Sequence, residues 1–203
     1  PEFGLTYNQI VEDGFIITKK IECCLSSDTP IGISKSIGLS TIGFAEAFNE
    51  LKPDLVLVLG DRYEIFSAVT ASLISRILVA HFSGGEITEG VFDDSIRHSI
   101  TKMSHFHFVA HDEYKKRVIQ LGESPTNVFV VGGMGIGNIS KTKFIKKESL
   151  EKQINFKFGK KNLLVTFHPV TLENDSSMEQ MKQLLLALSK FDDINLIFTM
   201  PNA

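Results

Sequence analysis

An α/β fold built on a parallel sheet is predicted by three features of the sequence. Short aliphatic and aromatic runs alternate with helically periodic segments almost throughout the chain, the signature of strand-helix-strand units. The clearest run, LVLVL over 55–59, stops abruptly at Gly60 and Asp61, as a strand buried on both faces of a parallel sheet does at the sheet edge. The 203 residues, 43% of them apolar, suffice for a substantial core in one large domain or two small ones.

In chain order, the first strong helical pattern covers 33–51, followed by the strand at 55–59 and a helix over 63–75. The run LVAHF predicts a strand over 78–82, and a helix over 93–103 follows it. A strand over 105–110, a helix over 112–121 and a strand over 128–131 continue the alternation. Between Lys141 and Lys161 the pattern breaks into a lysine-rich polar stretch with no clear core face, which places a domain boundary there. The alternation then resumes with a strand over 163–167, a helix over 177–189 and a strand over 196–199. The expected organisation is thus a first domain over 1–145, a linker over 146–161 and the start of a second domain over 162–203. The chain opens on PEFGLTYNQ without methionine and closes on IFTMPNA directly after an apolar run, so it reads as an excerpt of a longer protein.

A net charge of -3, with lysine and arginine scattered along the chain, offers no basic stripe for nucleic acid, and no nucleic-acid partner is expected. The two cysteines, Cys23 and Cys24, are adjacent, an unfavourable spacing for a disulfide, and no apolar run approaches the roughly 18 residues of a membrane span. With no signal-like start, a reducing cytoplasm and no membrane association are expected.

Ligands of parallel sheets collect at the carboxyl ends of the strands. Asp61 stands at one such end. The second strand delivers His81, Gly84, Gly85 and Glu86 to the same rim, the strand LLVTF ends in His168, and the last strand ends in Met200, Pro201 and Asn202. Each feature also has a plainer reading. Asp61 is in the right place to cap the next helix, and the Gly84-Gly85 pair serves a tight turn as well as a close ligand approach. Asp93 is a plausible helix N-cap, and Asp93 with Arg97, and Asp94 with His98, fall at i,i+4 and suit surface ion pairs. His105 and His107 share a strand face but lack a third ligand at matching spacing, so no metal is expected. GGMGIGN over 132–138 resembles a dinucleotide loop, but the acidic residue that should follow about 20 residues later falls in the lysine-rich stretch.

The blocks VLGDRYEIFSA, AHFSGGEITEG, DDSIRHSITKMSH, EYKKRVIQLGE and TFHPVTLE, in that order and spacing, resemble the hydrolysing UDP-N-acetylglucosamine 2-epimerases of bacterial sialic acid biosynthesis. The resemblance spans nearly the whole chain. It implies two Rossmann-like doubly wound domains of the GT-B type, with the first strand and most of the second, UDP-binding domain lying outside this excerpt. Alone, the excerpt is then expected to be inactive and to leave apolar surface uncovered. The implied reaction eliminates UDP across C1 and C2 of the sugar, passes through a glycal and hydrates it to free N-acetylmannosamine, with no cofactor. By the same resemblance Asp61, Glu86, Asp93 and His168 match catalytic positions, and Arg97, Gly84 and Gly85 match substrate-binding ones. One carboxylate would take the C2 proton and His168 would assist the leaving phosphate. In several relatives the residue two after the strand-end histidine is a glutamate taken to be catalytic; here that position is Ser83, and Glu86 of the Gly-Gly-Glu triplet takes its role. Related enzymes act on UDP-N,N'-diacetylbacillosamine on the way to legionaminic acid, and nothing in these blocks reads the C4 or C6 substituent. A non-catalytic UDP-sugar-binding module is the reading from another class. An even-numbered homo-oligomer, dimer or tetramer, is what the family implies.

Overall fold

In the computed structural model, which describes residues 7–23, 25, 27, 29–168 and 176–199, every strand predicted from the sequence is present. The chain divides into two units, Pro1–Gly137 and Asn138–Ala203. The first contains α1 (Tyr7–Glu12), α2 (Pro30–Leu51), β1 (Leu55–Leu59), α3 (Tyr63–Ile74), β2 (Leu78–Phe82), α4 (Asp93–Met103), β3 (Phe106–Val109), α5 (Asp112–Gln120) and β4 (Val128–Val130). Helix α6 (Met134–Lys141) crosses the division, and α7 (Lys147–Gln153), β5 (Lys161–Val165), α8 (Ser177–Leu188) and β6 (Ile194–Phe198) make up the second unit.

Strands β1 to β4 form one parallel sheet in sequence order, each connected to the next through a helix. Alternate residues of each strand face opposite sides of the sheet. On one side Val58 and Val79 pack with Val69 of α3 and Ile100 of α4, while Val109 and Val128 pack with Val118 of α5. On the other, Leu59, Phe82, Phe108 and Phe129 stand in register across all four strands. The rings of Phe82 and Phe108 stack at 4.6 Å, and those of Phe108 and Phe129 at 5.3 Å. Burial of β1 on both faces, expected from its unbroken aliphatic run, is not what the structure shows. Leu55, Leu57 and Leu59 are exposed among the described residues, because α3 covers only the opposite face, which carries Val56 and Val58.

Helix α2 begins three residues before its predicted start. Pro30 occupies the first turn, and the Thr29 hydroxyl caps it by accepting from the Gly32 amide at 3.1 Å. It packs along α3, where the buried Ser67 hydroxyl of α3 donates to the Ile37 carbonyl of α2 at 3.2 Å. Two stretches without a predicted element form helices: the glycine-rich segment folds into α6 directly after Gly132 at φ +83°, and the lysine-rich segment contains α7. In the second unit β5 and β6 pair in parallel around α8, starting two residues before the predicted strands. The shift arises because Asn162 pairs with Asn195 in the ladder, which a search for apolar residues passes over. No described helix is long and apolar enough to cross a membrane.

Candidate active site

Strand β1 is followed by Gly60, whose φ of +93° turns the chain at the sheet edge and presents Asp61. Asp61 does not cap α3. The capping position is Arg62, which makes no side-chain cap bond, and the Asp61 carboxylate instead accepts from Nη2 of Arg97, 36 residues further along the chain. The Arg97 side chain is only 5% exposed. Its Nη1 also donates to the Glu86 carbonyl at 3.0 Å and to Asp94 Oδ1 at 3.2 Å, and its Nη2 to Thr88 Oγ1 at 2.9 Å. One guanidinium therefore joins the end of β1, the loop after β2 and the first turn of α4. The expected i,i+4 pair of Asp93 with Arg97 is replaced by an i,i+3 pair with Asp94, while the Asp94-His98 pair forms at 3.5 Å.

Asp93 is the first residue of α4 rather than its N-cap; Phe92 occupies the cap position. The Asp93 carboxylate is left half-buried beside Asp61. Partial burial, and next the negative charge of Asp61, raise its proton affinity above that of an ordinary aspartate, with Arg62 and Arg97 opposing. Such a carboxylate is a better base than a solvated one, and it has two further carboxylates, Asp61 and Glu64, and two cations within electrostatic range.

The Gly84-Gly85 turn is packed by the protein itself. A side chain at Gly84 would stand 3.2 Å from His81 Nδ1 and 3.1 Å from Thr101 Oγ1. Gly85, at φ +80°, has the Tyr114 carbonyl 2.5 Å from where a Cβ would be, and its own carbonyl accepts from Arg117 of α5. Glu86 follows, partly buried, its backbone held by Arg97. Ser83 adopts φ +66° and donates its amide to the Phe108 carbonyl at 3.1 Å.

His81, expected on the rim, lies beneath it. It shares the helix-covered face with Val79 and is fully buried. Its Nε2 donates to the Gly60 carbonyl at 2.9 Å, which makes Nδ1 the acceptor side, 3.3 Å from Thr101 Oγ1. Burial is the largest influence on the ring and lowers its pKa to about 4, so it is neutral. His105 and His107 are likewise held by the protein: His105 Nδ1 accepts from the Val79 amide at 3.2 Å, and His107 Nε2 stands 3.2 Å from Glu123 Oε2. No group of three or more histidine, cysteine, aspartate or glutamate residues is arranged to hold a metal ion among the described residues.

His168 follows β5 in the second unit and is exposed. Met200, Pro201 and Asn202 lie outside the described residues. Two shallow surface hollows, one at Pro30, Ile31, Ser34 and Lys35 and one around Ile145 and Phe158, include none of these groups. Among the described residues of the first unit, the structure thus gathers Asp61, Glu86, Asp93 and Arg97 at one sheet edge. Sequence reading missed Thr88, Thr101 and Arg117. For Thr101 a signal existed, since residues 93, 97 and 101 recur at the one-turn spacing of a helix wall.

The model of the family described as UDP-N-acetylglucosamine 2-epimerase matches residues 1–203. A Campylobacter jejuni protein named GDP/UDP-N,N'-diacetylbacillosamine 2-epimerase (hydrolyzing) is 47% identical over 203 residues, covering 100% of this chain and 53% of that protein. Polysialic acid biosynthesis protein P7 of Escherichia coli is 40% identical over 205 residues, covering 99% and 51%. The chain spans about half the length of the curated relatives it matches. Among solved structures, the UDP-GlcNAc 2-epimerase of Neisseria meningitidis bound to UDP-GlcNAc superposes with a TM-score of 0.72 at 19% identity, over 84% of this chain and 48% of that one. That superposition shows the shared α/β fold, and the match of the family model over residues 1–203, with the 47% identity to the Campylobacter protein, shows that the chain belongs to the UDP-N-acetylglucosamine 2-epimerase family.

Proposed function

We propose that the protein is a hydrolysing 2-epimerase acting on a UDP-linked 2-acetamido sugar, and that this chain supplies the acid-base half of its site. The observation that carries the reading is the pairing of Asp93, with its raised proton affinity, and Asp61 at the carboxyl edge of the parallel sheet. A sugar C2-H is only weakly acidic, so its removal needs a positioned base of higher proton affinity than a solvated carboxylate.

In this reading Asp93 takes the C2 proton while the C1-O bond to UDP breaks, leaving the C1-C2 double bond of a glycal. Water then adds its oxygen to C1 and a proton returns to C2 on the opposite face, giving UDP and the free 2-epimer. Glu86, beside the Asp61-Arg97 pair, is proposed to exchange protons with this water, and His168 to assist the departing phosphate. Gly84 and Gly85 act by shaping the turn that presents Glu86.

The Campylobacter relative's name makes UDP-N,N'-diacetylbacillosamine the first substrate to offer, and UDP-N-acetylglucosamine, with N-acetylmannosamine as product, the second. The test is proton NMR of the full-length protein with each nucleotide sugar in deuterated water. A free 2-epimer carrying deuterium at C2, together with UDP, is the expected outcome. Binding of both sugars without release of UDP or deuterium incorporation would instead indicate a non-catalytic module and sink the proposal.

A further inference from the structure

The geometry points to Arg97 as a positioning residue that acts through Asp61, rather than as the contact to the substrate that family resemblance suggests. The inference rests on the epimerase reading above and concerns how the same site is held together. A guanidinium grips a phosphate or carboxylate through its terminal N-H fork. In Arg97 both terminal nitrogens are already engaged, Nη1 by the Glu86 carbonyl and Asp94, Nη2 by Asp61 and Thr88. All four acceptors belong to the protein, and the side chain is 5% exposed. A substrate diphosphate would have to displace charge-assisted bonds to reach it.

What these bonds accomplish is the fixing of distances. Arg97 lies one helical turn after Asp93 on α4, so the helix that carries Asp93 also grips Asp61 at the end of β1. A second tether sits one turn further on. Thr101 approaches His81 Nδ1 at 3.3 Å, and His81 Nε2 holds the carbonyl of Gly60, the residue just before Asp61. Residues 93, 97 and 101 of α4 thus set where Asp61 stands relative to Asp93, and Arg97 extends the frame to Glu86 through its carbonyl. Displacements of about 1 Å in such a constellation cost on the order of 100-fold in rate.

The experiment uses the full-length protein, the UDP-sugar it turns over, and four variants: Arg97→Met, Arg97→Lys, Asp61→Asn and the Asp61→Asn/Arg97→Met double. The readouts are kcat, KM and UDP affinity by calorimetry. Arg97→Met is expected to lower kcat about 100-fold with KM and UDP affinity within about threefold of wild type. Arg97→Lys keeps the charge but not the four-way fork, and is expected to stay folded with kcat still depressed. The double variant buries no unpaired carboxylate at residue 61 and is expected to be no slower than the slower single variant, since two residues acting as a unit are not additive. A raised KM, weakened UDP binding and multiplicative losses would make Arg97 a substrate contact and overturn the inference. Normal kcat in a folded Arg97→Lys enzyme would reduce the network to a structural ion pair and overturn it as well. Failure of the wild type to turn over any UDP-sugar would remove the epimerase reading itself, an outcome distinct from either.

Discussion

Acidification offers a quantitative probe of the buried seam beneath the site. Burial lowers the His81 pKa from 6.5 to about 4 in the folded protein, and unfolding restores the ordinary value. Between those two values the unfolded chain binds a proton at this residue that the folded chain excludes. The stability His81 contributes is therefore fully present above pH 6.5 and is lost as pH falls toward 4. At about 1.4 kcal/mol per pH unit, over about 2.5 units, the loss is roughly 3.5 kcal/mol, a large part of the 5–15 kcal/mol typical of a folded domain. The assay is urea unfolding followed by far-ultraviolet circular dichroism between pH 7.5 and 4.5, on wild type and on His81→Gln. Glutamine keeps an N-H donor for the Gly60 carbonyl but does not titrate. His107, whose pKa burial also lowers, and Asp93, whose shift has the opposite effect on stability toward acid, remain in both proteins. The difference in slope near pH 5.5 therefore isolates His81, and His81→Gln should be flatter by about 1 kcal/mol per pH unit. Equal slopes would mean that His81 is protonated in the folded state, and the neutral bridge between Gly60 and Thr101 would be wrong.

Four further variants have expected outcomes. Glu86→Gln should abolish turnover while the thermal midpoint stays near wild type, because the Glu86 backbone, not its side chain, carries the contact to Arg97; an active variant would remove Glu86 from the mechanism. Asp93→Asn should also abolish turnover but raise the thermal midpoint at pH 7. A carboxyl whose folded pKa is raised favours folding only at low pH and loses that contribution as pH rises through the folded value, so a neutral amide relieves the penalty; a lowered midpoint would contradict the raised proton affinity. Gly85→Ala should destabilise by at least about 2 kcal/mol, since it combines a left-handed backbone with a Cβ 2.5 Å from the Tyr114 carbonyl, whereas Gly38→Ala, in the middle of α2 with open space around it, should stabilise by about 0.5–1 kcal/mol in the same denaturation assay.

Periodicity and strand-end chemistry were local enough to be read from the sequence. The five central aliphatic residues of β1, the alternation that makes each crossover helical and the placement of Asp61 and Glu86 after strands all depend on residues within about a dozen positions of one another. Boundaries slipped where polar residues entered the ladder, as at Asn162, and α6 and α7 were missed because glycine and lysine obscure a helical pattern. The capping readings of Asp61 and Asp93 failed for another reason. Both are sound local expectations, but a buried arginine 36 residues away from Asp61 binds that carboxylate, and at α4 the chain is already helical at Phe92, so Asp93 falls inside the first turn.

What the sequence determined by itself is the α/β alternation and the identity of the acidic residues at the strand ends, because hydrophobic period and residue chemistry are carried by neighbours in the chain. Only the tertiary structure decided which of those acids meet, that Arg97 faces inward with every terminal N-H engaged, and that His81 lies beneath the rim as a neutral bridge. These depend on which strand lies beside which and on how deeply a group is desolvated. Both are properties of packing between distant segments, and they come into being only when the sheet forms.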